Sequence, residues 1–193
     1  MASPEPRPTT AGETIAYVGL GSNLGEPRAQ VLSALGSMGE IPGCALLARS
    51  SLYATTPVGP IPQPDYVNAA AALRTRLPPL ELLTALQAVE RAQGRARDGT
   101  RWGPRTLDLD LLVYGQRRLS DPGLELPHPE MHRRAFVLVP LAEIAPDWLE
   151  IPGQGRLADL LAACPPDPGM RRLADGPPRA DKPGAPALSC PPA

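Results

Sequence analysis

The sequence contains very little lysine, few cysteines and no long apolar run. Lys182 is the only lysine among the 19 basic residues. A phosphate-binding loop that depends on lysine is therefore excluded, and a phosphate site here would use arginine, whose planar fork binds two phosphate oxygens at once. Cys44, Cys164 and Cys190 are widely spaced and form neither a metal-ligand pattern nor an even disulfide framework. No stretch approaches the roughly 18 apolar residues of a membrane helix. These absences predict a soluble protein of the reducing cytoplasm.

Aromatic residues and net charge are scarce as well. Aromatics make up 4% of the sequence, with one phenylalanine, so the core must be built mainly from Leu, Val, Ala and Ile. A net charge of -1 gives no general attraction to nucleic acid or to an anionic membrane. The positive charge is nevertheless uneven, because half of the arginines lie between Arg91 and Arg134. The sequence therefore predicts a local anion site in a protein that binds neither nucleic acid nor membrane.

Length and local composition predict one domain with irregular ends. A chain of 193 residues can form a single domain with a real hydrophobic core. Residues 1–13 are rich in Pro, Thr and Glu and are expected to be a disordered leader. Residues 165–193 are rich in Pro, Asp, Gly and Ala and are expected to be a disordered tail. The folded domain is therefore expected over residues 14–164.

The hydrophobic pattern predicts a mixture of strands and helices. In the first half of the chain the predicted elements are a strand at 14–21, a helix at 27–38, strands at 45–53 and 66–77, and a helix at 79–93. A strand carrying LDLDL follows at 107–111, then a turn with an optional short strand at 115–121 and a loop or short helix at 127–136. The last predicted elements are short helices broken at Pro140, a minor edge strand at 148–151 and a helix at 157–163. This order indicates an α+β fold, with a ferredoxin-like sandwich of a mostly antiparallel sheet and covering helices as the leading candidate.

Three glycines near the first strand resemble a dinucleotide-binding fingerprint but do not match it. Gly19, Gly21 and Gly25 are spaced one residue too long for G-x-G-x-x-G, and no acidic residue follows the next strand. The pattern favours a plain strand-to-helix turn, with Ser22 or Asn23 as the helix cap.

The segment LDLDL presents two carboxylates from one strand. Side chains alternate between the faces of a strand, so Asp108 and Asp110 point the same way and the flanking leucines point the other way. Their backbone positions would lie roughly 6.5 Å apart. This spacing suits one shared divalent cation or two bridged cations, and hard oxygen ligands favour magnesium. The pattern alone also fits a strand with charges on its wet side.

Four arginines in a glycine-containing loop directly precede that strand: Arg95, Arg97, Arg101 and Arg105. Guanidinium groups beside metal-binding carboxylates could neutralise a polyphosphate, and this combination is typical of phosphoryl transfer. The arginines alone would equally fit a solvated basic loop. His128, near Arg134, could also contact a phosphate, whereas His132 is expected at the surface.

The aromatic residues lie in or beside irregular segments. Tyr66, Trp102 and Phe136 could stack on a flat heteroaromatic ligand, although each alone also fits ordinary packing. Asn68 follows Tyr66 by two residues and would share its face of a strand. Its amide offers the paired donor and acceptor that a pterin or purine edge requires, although a structural asparagine would look the same.

Four segments together resemble one known family. They are YVGLGSNLG at 17–25, YATTPVGPIPQPDYVNAA at 53–70, RWGPRTLDLDLLVYG at 101–115 and PHPEMHRRAFVLVPLAEIAP at 127–146. In this order they are similar to the successive signatures of the 6-hydroxymethyl-7,8-dihydropterin pyrophosphokinases of folate biosynthesis. The resemblance covers roughly residues 14 to 160, and RWGPRTLDLD is its most specific part.

The resemblance implies an enzyme that transfers pyrophosphate from ATP to 6-hydroxymethyl-7,8-dihydropterin and releases AMP. It implies an α-β-α sandwich with flexible catalytic loops, two Mg²⁺ ions held by Asp108 and Asp110, and catalytic arginines at 95 and 105. The implied pterin site consists of Thr55, Val58, Tyr66, Asn68, Trp102 and Phe136. The implied ATP site consists of Gln87, Glu90, Arg97, Arg101, Leu111, His128 and Arg134. The expected partners are these two small molecules, and a cytoplasmic monomer is expected.

The sequence departs from the family at a few positions. Thr56-Pro57 replaces the Pro-Pro of many members, and Pro129 follows His128 where some members carry tyrosine. Gly123 and Glu125 stand where certain relatives place an arginine and a threonine near the nucleotide, so no ATP contact is assigned there. Two rival interpretations remain from the residues alone. A metal-dependent phosphodiesterase or nuclease would share the aspartates and arginines, and a proline-rich interaction module would explain the two ends.

Overall fold

The computed structural model describes residues 12–57, 62–95 and 103–174. The strands are β1 (Thr14–Ser22), β2 (Cys44–Arg49), β3 (Tyr53–Thr55), β4 (Tyr66–Thr75), β5 (Asp108–Tyr114), β6 (Leu119–Asp121), β7 (Leu124–Leu126), β8 (Glu150–Ile151), β9 (Gly155–Arg156) and β10 (Arg171–Arg172). The helices are α1 (Pro27–Gly39), α2 (Pro79–Ala92), α3 (Ala135–Ile144) and α4 (Leu157–Ala163), with a 3₁₀ turn at Met131–Arg133. In this part of the chain no helix is long and apolar enough to cross a membrane.

One six-stranded sheet forms the centre of the molecule. Its order is β10-β3-β4-β1-β5, and β2 pairs with the far end of β4. Every pairing is antiparallel. β6 with β7, and β8 with β9, form two small separate hairpins. The long strands β1 and β4 lie in the middle of the sheet, so they carry the register that aligns all the others.

The sheet is packed on both faces. α1 and α2 cover one face, where Leu35, Met38 and Leu86 are buried against alternate residues of β1, β4 and β5. α3 and α4 cover the other face, where Leu138 and Leu141 pack on the remaining residues of the same strands. The structure thus confirms the predicted α+β fold with helices on both sides of an antiparallel sheet.

The predicted strand at 45–53 is wrong as one element, because the chain breaks between β2 and β3. The Ser50 hydroxyl accepts the Ala70 N–H at 2.9 Å, a bond that a backbone carbonyl would accept in a regular ladder. The Ser51 N–H turns away from the sheet and donates to Glu143 Oε2 at 2.6 Å. The hydrogen bonds of Ser50 and Ser51 thus end β2 and direct the following strand, β3, toward α3.

The predicted break at Pro140 is also wrong, because α3 runs without interruption from Ala135 to Ile144. An interior proline costs a helix about 3 kcal/mol. Leu138, Leu141 and Ile144 are each 2% exposed or less. Burial of each of these three side chains stabilises the folded protein by about 1.5–3 kcal/mol. Packing therefore outweighs the loss of the backbone hydrogen bond that proline cannot donate.

Three further predictions need correction. The proposed cap of α1 is wrong: its N-cap is Glu26, without a side-chain hydrogen bond, and Pro27 opens the helix. The minor edge strand near 150 belongs to a separate hairpin with β9, not to the main sheet. The folded part of the chain extends beyond Pro165, because β10 pairs with β3. Sequence composition could not reveal this last contact, which joins segments more than 110 residues apart.

Candidate active site

The register of the sheet assembles the predicted site residues on one face. Gly21 of β1 lies opposite Asn68 of β4 on one side and opposite Asp108 of β5 on the other. Directly paired residues share a face, and residues two apart share it too. Asp110, opposite Gly19, therefore lies on this face as well. It is the face that α3 covers farther along the strands.

β3 adds a second pair of site residues to this face. Thr55 lies opposite Tyr66, and Tyr53 lies opposite Asn68. The Asn68 amide donates to Thr55 Oγ1 at 2.6 Å, and both side chains are buried. This bond leaves the Asn68 carbonyl and the second amide hydrogen for a ligand, which is the paired donor and acceptor that the sequence indicated.

Two glycines keep the middle of this face open. A Cβ at Gly21 would lie 2.9 Å from Asn68 Oδ1, and one at Gly19 would lie 3.4 Å from the Leu112 side chain. The central strand therefore presents bare backbone between Asn68 and the aspartates. Glycines two apart in a central strand indicate close approach of another group, and that signal could have identified Gly19 and Gly21 as site residues from the sequence.

A network of charges holds Asp108. Arg95 and Arg105 each donate through Nη1 to a different oxygen of this carboxylate. Arg95 also pairs with Glu90, which is 1% exposed and accepts the Leu109 N–H at 2.8 Å. Glu90 thereby links α2 to β5. The two arginines that the resemblance implied as catalytic thus both contact Asp108 in this structure.

Asp110 has a different electrostatic environment from Asp108. Burial, followed by the neighbouring Asp108 charge, raises the pKa of Asp110 to about 7, against the lowering effect of Arg134 and Arg105. The negative charge of Asp108 opposes a second negative charge at Asp110, and a bound divalent ion would reverse this effect. The oxygen-only chemistry of the pair suits Mg²⁺, which characteristically binds to one or two carboxylates plus phosphate oxygens. In the described part of the chain no cluster of three metal-ligating side chains exists.

The aromatic residues bound a cavity of about 720 Å³ over this face. The Tyr66 hydroxyl donates toward the Gly103 carbonyl at 3.3 Å, which orients the half-buried ring. Arg134 lies 5.8 Å from the centre of the Phe136 ring, at the start of α3. A cavity lined by the Tyr66 and Phe136 rings and by the Asn68 amide can hold a flat heteroaromatic molecule.

His128 lies at the same cavity as a neutral ring. Its Nδ1 accepts the Glu130 N–H at 3.2 Å, so Nε2 carries the proton. Burial, together with the Arg134 charge, lowers the pKa of His128. At neutral pH it can donate one hydrogen bond, beside the guanidinium of Arg134, to an anionic ligand.

Asn23 joins two loops that border the site. Its side-chain amide donates to Gln63 Oε1 at 3.0 Å and to the Pro64 carbonyl at 3.1 Å. Its Oδ1 accepts the Arg105 N–H at 2.7 Å. The sequence assigned this residue to a helix cap, so its function as a loop tie was missed. It is 2% exposed, and the contacts are long-range, which no local pattern reports.

The predicted site residues fall into three groups. Those that line the cavity are Thr55, Tyr66, Asn68, Arg105, Asp108, Asp110, His128, Arg134 and Phe136. Four described residues do not line it: Gln87, Glu90, Arg95 and Leu111. Gln87 is part of α2, Glu90 and Arg95 pair with each other beneath the cavity, and Leu111 is buried in the core against α1 and α2. Val58, Arg97, Arg101 and Trp102 lie outside the described residues. Their assignments remain predictions.

The fold and this site, a carboxylate pair with arginines beside an aromatic-lined cavity, are typical of a small α+β enzyme of phosphoryl-group transfer. The model of one protein family, HPPK or 7,8-dihydro-6-hydroxymethylpterin-pyrophosphokinase, matches residues 17–146. The chain belongs to this family and is an ATP-dependent pyrophosphokinase of folate biosynthesis.

Curated relatives carry the name 2-amino-4-hydroxy-6-hydroxymethyldihydropteridine pyrophosphokinase. The protein of Pseudomonas aeruginosa is 55% identical over 157 residues, which are 81% of this chain and 95% of the relative. The protein of Haemophilus influenzae is 47% identical over 146 residues, 76% of this chain and 90% of the relative. The similarity therefore extends over nearly the whole of both relatives.

Solved structures of longer proteins share the fold. The Plasmodium falciparum HPPK-DHPS with pteroate has a TM-score of 0.60 at 13% identity and covers 83% of this chain. The same protein with pterin and p-hydroxybenzoate has a TM-score of 0.60 at 13% identity and covers 78%. This chain spans less than half of those proteins, 43% and 41%, so the likeness concerns the architecture of one part.

Proposed function

We propose that this enzyme transfers the pyrophosphoryl group of ATP to the hydroxymethyl group of 6-hydroxymethyl-7,8-dihydropterin at the cavity described above, with two Mg²⁺ ions held by Asp108 and Asp110. The observation that carries the proposal is the shared face of the sheet. It presents the carboxylate pair and the Asn68 amide on either side of Gly21. Three of the four motifs of the resemblance thus meet at one strand position.

The pterin end of the site is formed by β3, β4 and α3. Asn68, held by Thr55, recognises the hydrogen-bonding edge of the ring. Tyr66 and Phe136 lie against its two faces. Trp102 and Val58 complete this pocket in the proposal by resemblance alone. Flat walls on both sides exclude water and orient the hydroxymethyl group toward β5.

The phosphate end is formed by β5 and the arginines. Magnesium bound to the two aspartates would neutralise phosphate charge and orient the β-phosphate. The substrate hydroxyl attacks the β-phosphorus in line, so AMP leaves and the pyrophosphoryl group remains on the pterin. Arg95 and Arg105 stabilise the negative charge that spreads over the transferred group. His128 and Arg134 contact the nucleotide phosphates, together with Arg97 and Arg101.

Glu90 supports this reaction from beneath the site. Its buried carboxylate pairs with Arg95 and with the backbone of β5, so it positions the arginine that contacts Asp108. We keep Gln87, Glu90 and Leu111 as part of the ATP site on resemblance. We further propose a cytoplasmic monomer whose single domain runs from Thr14 through at least Arg172.

The test is AMP formation from ATP in the purified protein. The expected result is AMP release that requires both Mg²⁺ and 6-hydroxymethyl-7,8-dihydropterin, with the pterin pyrophosphate formed in equal amount. Release of AMP that needs no pterin would contradict the proposal and favour a metal-dependent phosphodiesterase instead. Calorimetry with a non-hydrolysable ATP analogue should show that the analogue strengthens binding of the dihydropterin.

A further inference from the structure

The chain after α4 forms part of the lining of the active-site cavity. Pro165, Pro166, Asp167 and Pro168 line the same cavity as the aspartates of β5 and the aromatic residues. We call residues 165–169 the wall segment. The sequence placed it in a disordered tail, and neither the proposed pterin site nor the proposed ATP site uses it.

Both ends of the wall segment are anchored. α4 precedes it, and β10 follows it, with Arg171 opposite Ala54 and Arg172 opposite Tyr53. The Leu173 N–H continues this pairing and donates to the Leu52 carbonyl at 2.9 Å. Within the segment, Asp167 closes a turn, because its Oδ1 accepts the Gly169 N–H at 2.9 Å. Three prolines among the five residues fix φ and limit the freedom of the segment further.

The wall segment lies directly against the pterin end of the site. A Cβ at Gly169 would lie 2.3 Å from Thr56 Oγ1, so the Gly169 backbone touches the residue that follows Thr55. Thr55 holds Asn68, the group proposed to recognise the ring edge. From β3 to β5 there are three strand spacings, about 14 Å. The anchor of the wall segment on β3 therefore lies beside the ring-binding residues and three strand positions away from the carboxylates of β5.

The wall segment is not backed by the packed core. Pro165, Pro166 and Asp167 also border a second cavity of about 390 Å³, which is lined by Tyr53 of β3 and by residues of α3 and α4 such as Val139 and Leu161. Space on both sides means that the position of the segment depends on its two anchors and on its contact with Thr56. A small change at that contact should shift the segment without unfolding the domain.

We propose that the wall segment, residues 165–169, is the outer wall of the pterin pocket and a determinant of pterin affinity, and this rests on the proposed function. It limits the space beside Thr55 and Asn68 and shields their hydrogen bonds to the ring from water. Because the segment is anchored on β3 and not on β5, it acts on binding of the pterin and not on transfer of the pyrophosphoryl group.

Gly169→Ala is the most direct test. The φ of Gly169 is outside the left-handed region, so alanine is tolerated by the backbone and only the contact with Thr56 is disturbed. Gly36→Ala, in α1, adds the same methyl group where nothing lies within 4 Å and serves as the control. The added methyl group displaces the wall segment from Thr56, so we expect the pterin KM to rise about tenfold. The kcat and the ATP KM should stay within about twofold, since nothing at the phosphate end changes.

A second variant loosens the wall without removing β10. It replaces residues 165–168 with four glycines, and it should raise the pterin KM with the same pattern, since glycine removes both the proline constraint and the lining side chains. An unchanged pterin KM in both variants would overturn the proposal, and so would an equal loss in kcat and in both KM values. If the glycine variant loses its cooperative thermal transition, Gly169→Ala decides alone. Failure of the proposed function is distinguishable, because the unmodified enzyme would then form no pterin-dependent AMP.

Discussion

At the scale of single residues, the two aspartates of β5 differ although they share a strand and a face. Asp108 already binds two guanidinium groups. Asp110 is the carboxylate whose pKa is raised to about 7, chiefly by burial. A divalent cation would stabilise the ionised form of Asp110 most, since burial and the Asp108 charge disfavour that form. Asp110 should therefore contribute more to metal binding, and Asp108 more to the placement of the arginines.

Asp110→Asn tests this division. The amide keeps the shape of the side chain but cannot replace the charge, so we expect kcat to fall by about 1000-fold, in the range of other losses of transition-state electrostatics. Stability should be unchanged or slightly higher, because a buried carboxylate beside Asp108 is removed. Asp121→Asn, an exposed position on β6, is the control. Steady-state AMP formation and thermal unfolding measure the two effects, and a loss of less than tenfold would contradict the assignment.

Gly21 is the second residue whose effect can be measured alone. Alanine would place its Cβ 2.9 Å from Asn68 Oδ1, so the Asn68 side chain must move and its 2.6 Å bond to Thr55 is disturbed. We expect Gly21→Ala to raise the pterin Kd by about tenfold, the cost of displacing one hydrogen-bonded amide. Calorimetric titration with dihydropterin and an ATP analogue measures it. An unchanged Kd would show that Asn68 does not recognise the ring.

At the scale of elements, one side chain connects the two loops beside the site. Asn23 connects the end of β1 to residues 63 and 64 and to the backbone of Arg105. Both connected segments deliver residues to the site: Tyr66 follows the first, and the Asp108 carboxylate follows the second. The Asn23 side chain thus connects the loop that precedes the pterin-binding residues to the loop that precedes the phosphate-binding residues.

Asn23→Ala should release both loops at once. The Arg105 amide loses its acceptor, so its hydrogen exchange should become faster, while the Ala70 amide, bonded to Ser50 Oγ, should exchange at the original rate. Loss of a buried hydrogen-bonded group costs roughly 1–3 kcal/mol. We therefore expect lower stability together with a rise in the KM of both substrates. Exchange at Arg105 that stays slow would show that the loop is held by other contacts.

The element scale also shows how far the sequence could be interpreted. Periodicity located α1, α2, α4 and the long strands, and alternation in LDLDL correctly placed Asp108 and Asp110 on one face, because these signals are local. The continuity of α3 through Pro140 depends on its burial, and the break at Ser50 depends on the distant Glu143. The wall segment depends on pairing with β3. These features arise from tertiary contacts, which local propensity does not contain.

At the scale of the whole molecule, the site lies where the second helical layer ends. α3 covers the sheet over Ala70 and Ala72 but begins only at Ala135, so the face over Gly21 and the aspartates stays open. A three-layer protein has few places where a sheet face can meet a ligand. The end of one layer supplies such a place and also brings Arg134 and Phe136 to its rim.

Glu143 links this second layer to the edge of the sheet. Its carboxylate accepts the Ser51 N–H at 2.6 Å and the Tyr53 hydroxyl at 2.9 Å, and Arg172 of β10 lies 3.9 Å away. Burial alone would raise its pKa, but the hydrogen bonds from Ser51 and Tyr53 outweigh burial and lower the pKa of Glu143. The charged form is thus the one that the folded molecule stabilises. The position of β3, and with it Thr55, depends on this charge.

Glu143→Gln should therefore destabilise the molecule in a pH-dependent way. A carboxyl group with a lowered folded pKa contributes its stability fully above the ordinary glutamate pKa of about 4.3, and this stability is lost as the pH falls through the lowered folded value. At pH 7 we expect a loss of roughly 2 kcal/mol, typical of a charge-assisted hydrogen bond, and a Tm about 6 °C lower. The difference in stability between the variant and the unmodified protein should shrink as the pH falls below 4.

Glu125→Gln, exposed on β7, is the control and should match the unmodified protein at every pH. Thermal unfolding between pH 3 and pH 8 measures the effect, and a constant difference across that range would mean that Glu143 acts through shape and not through its charge.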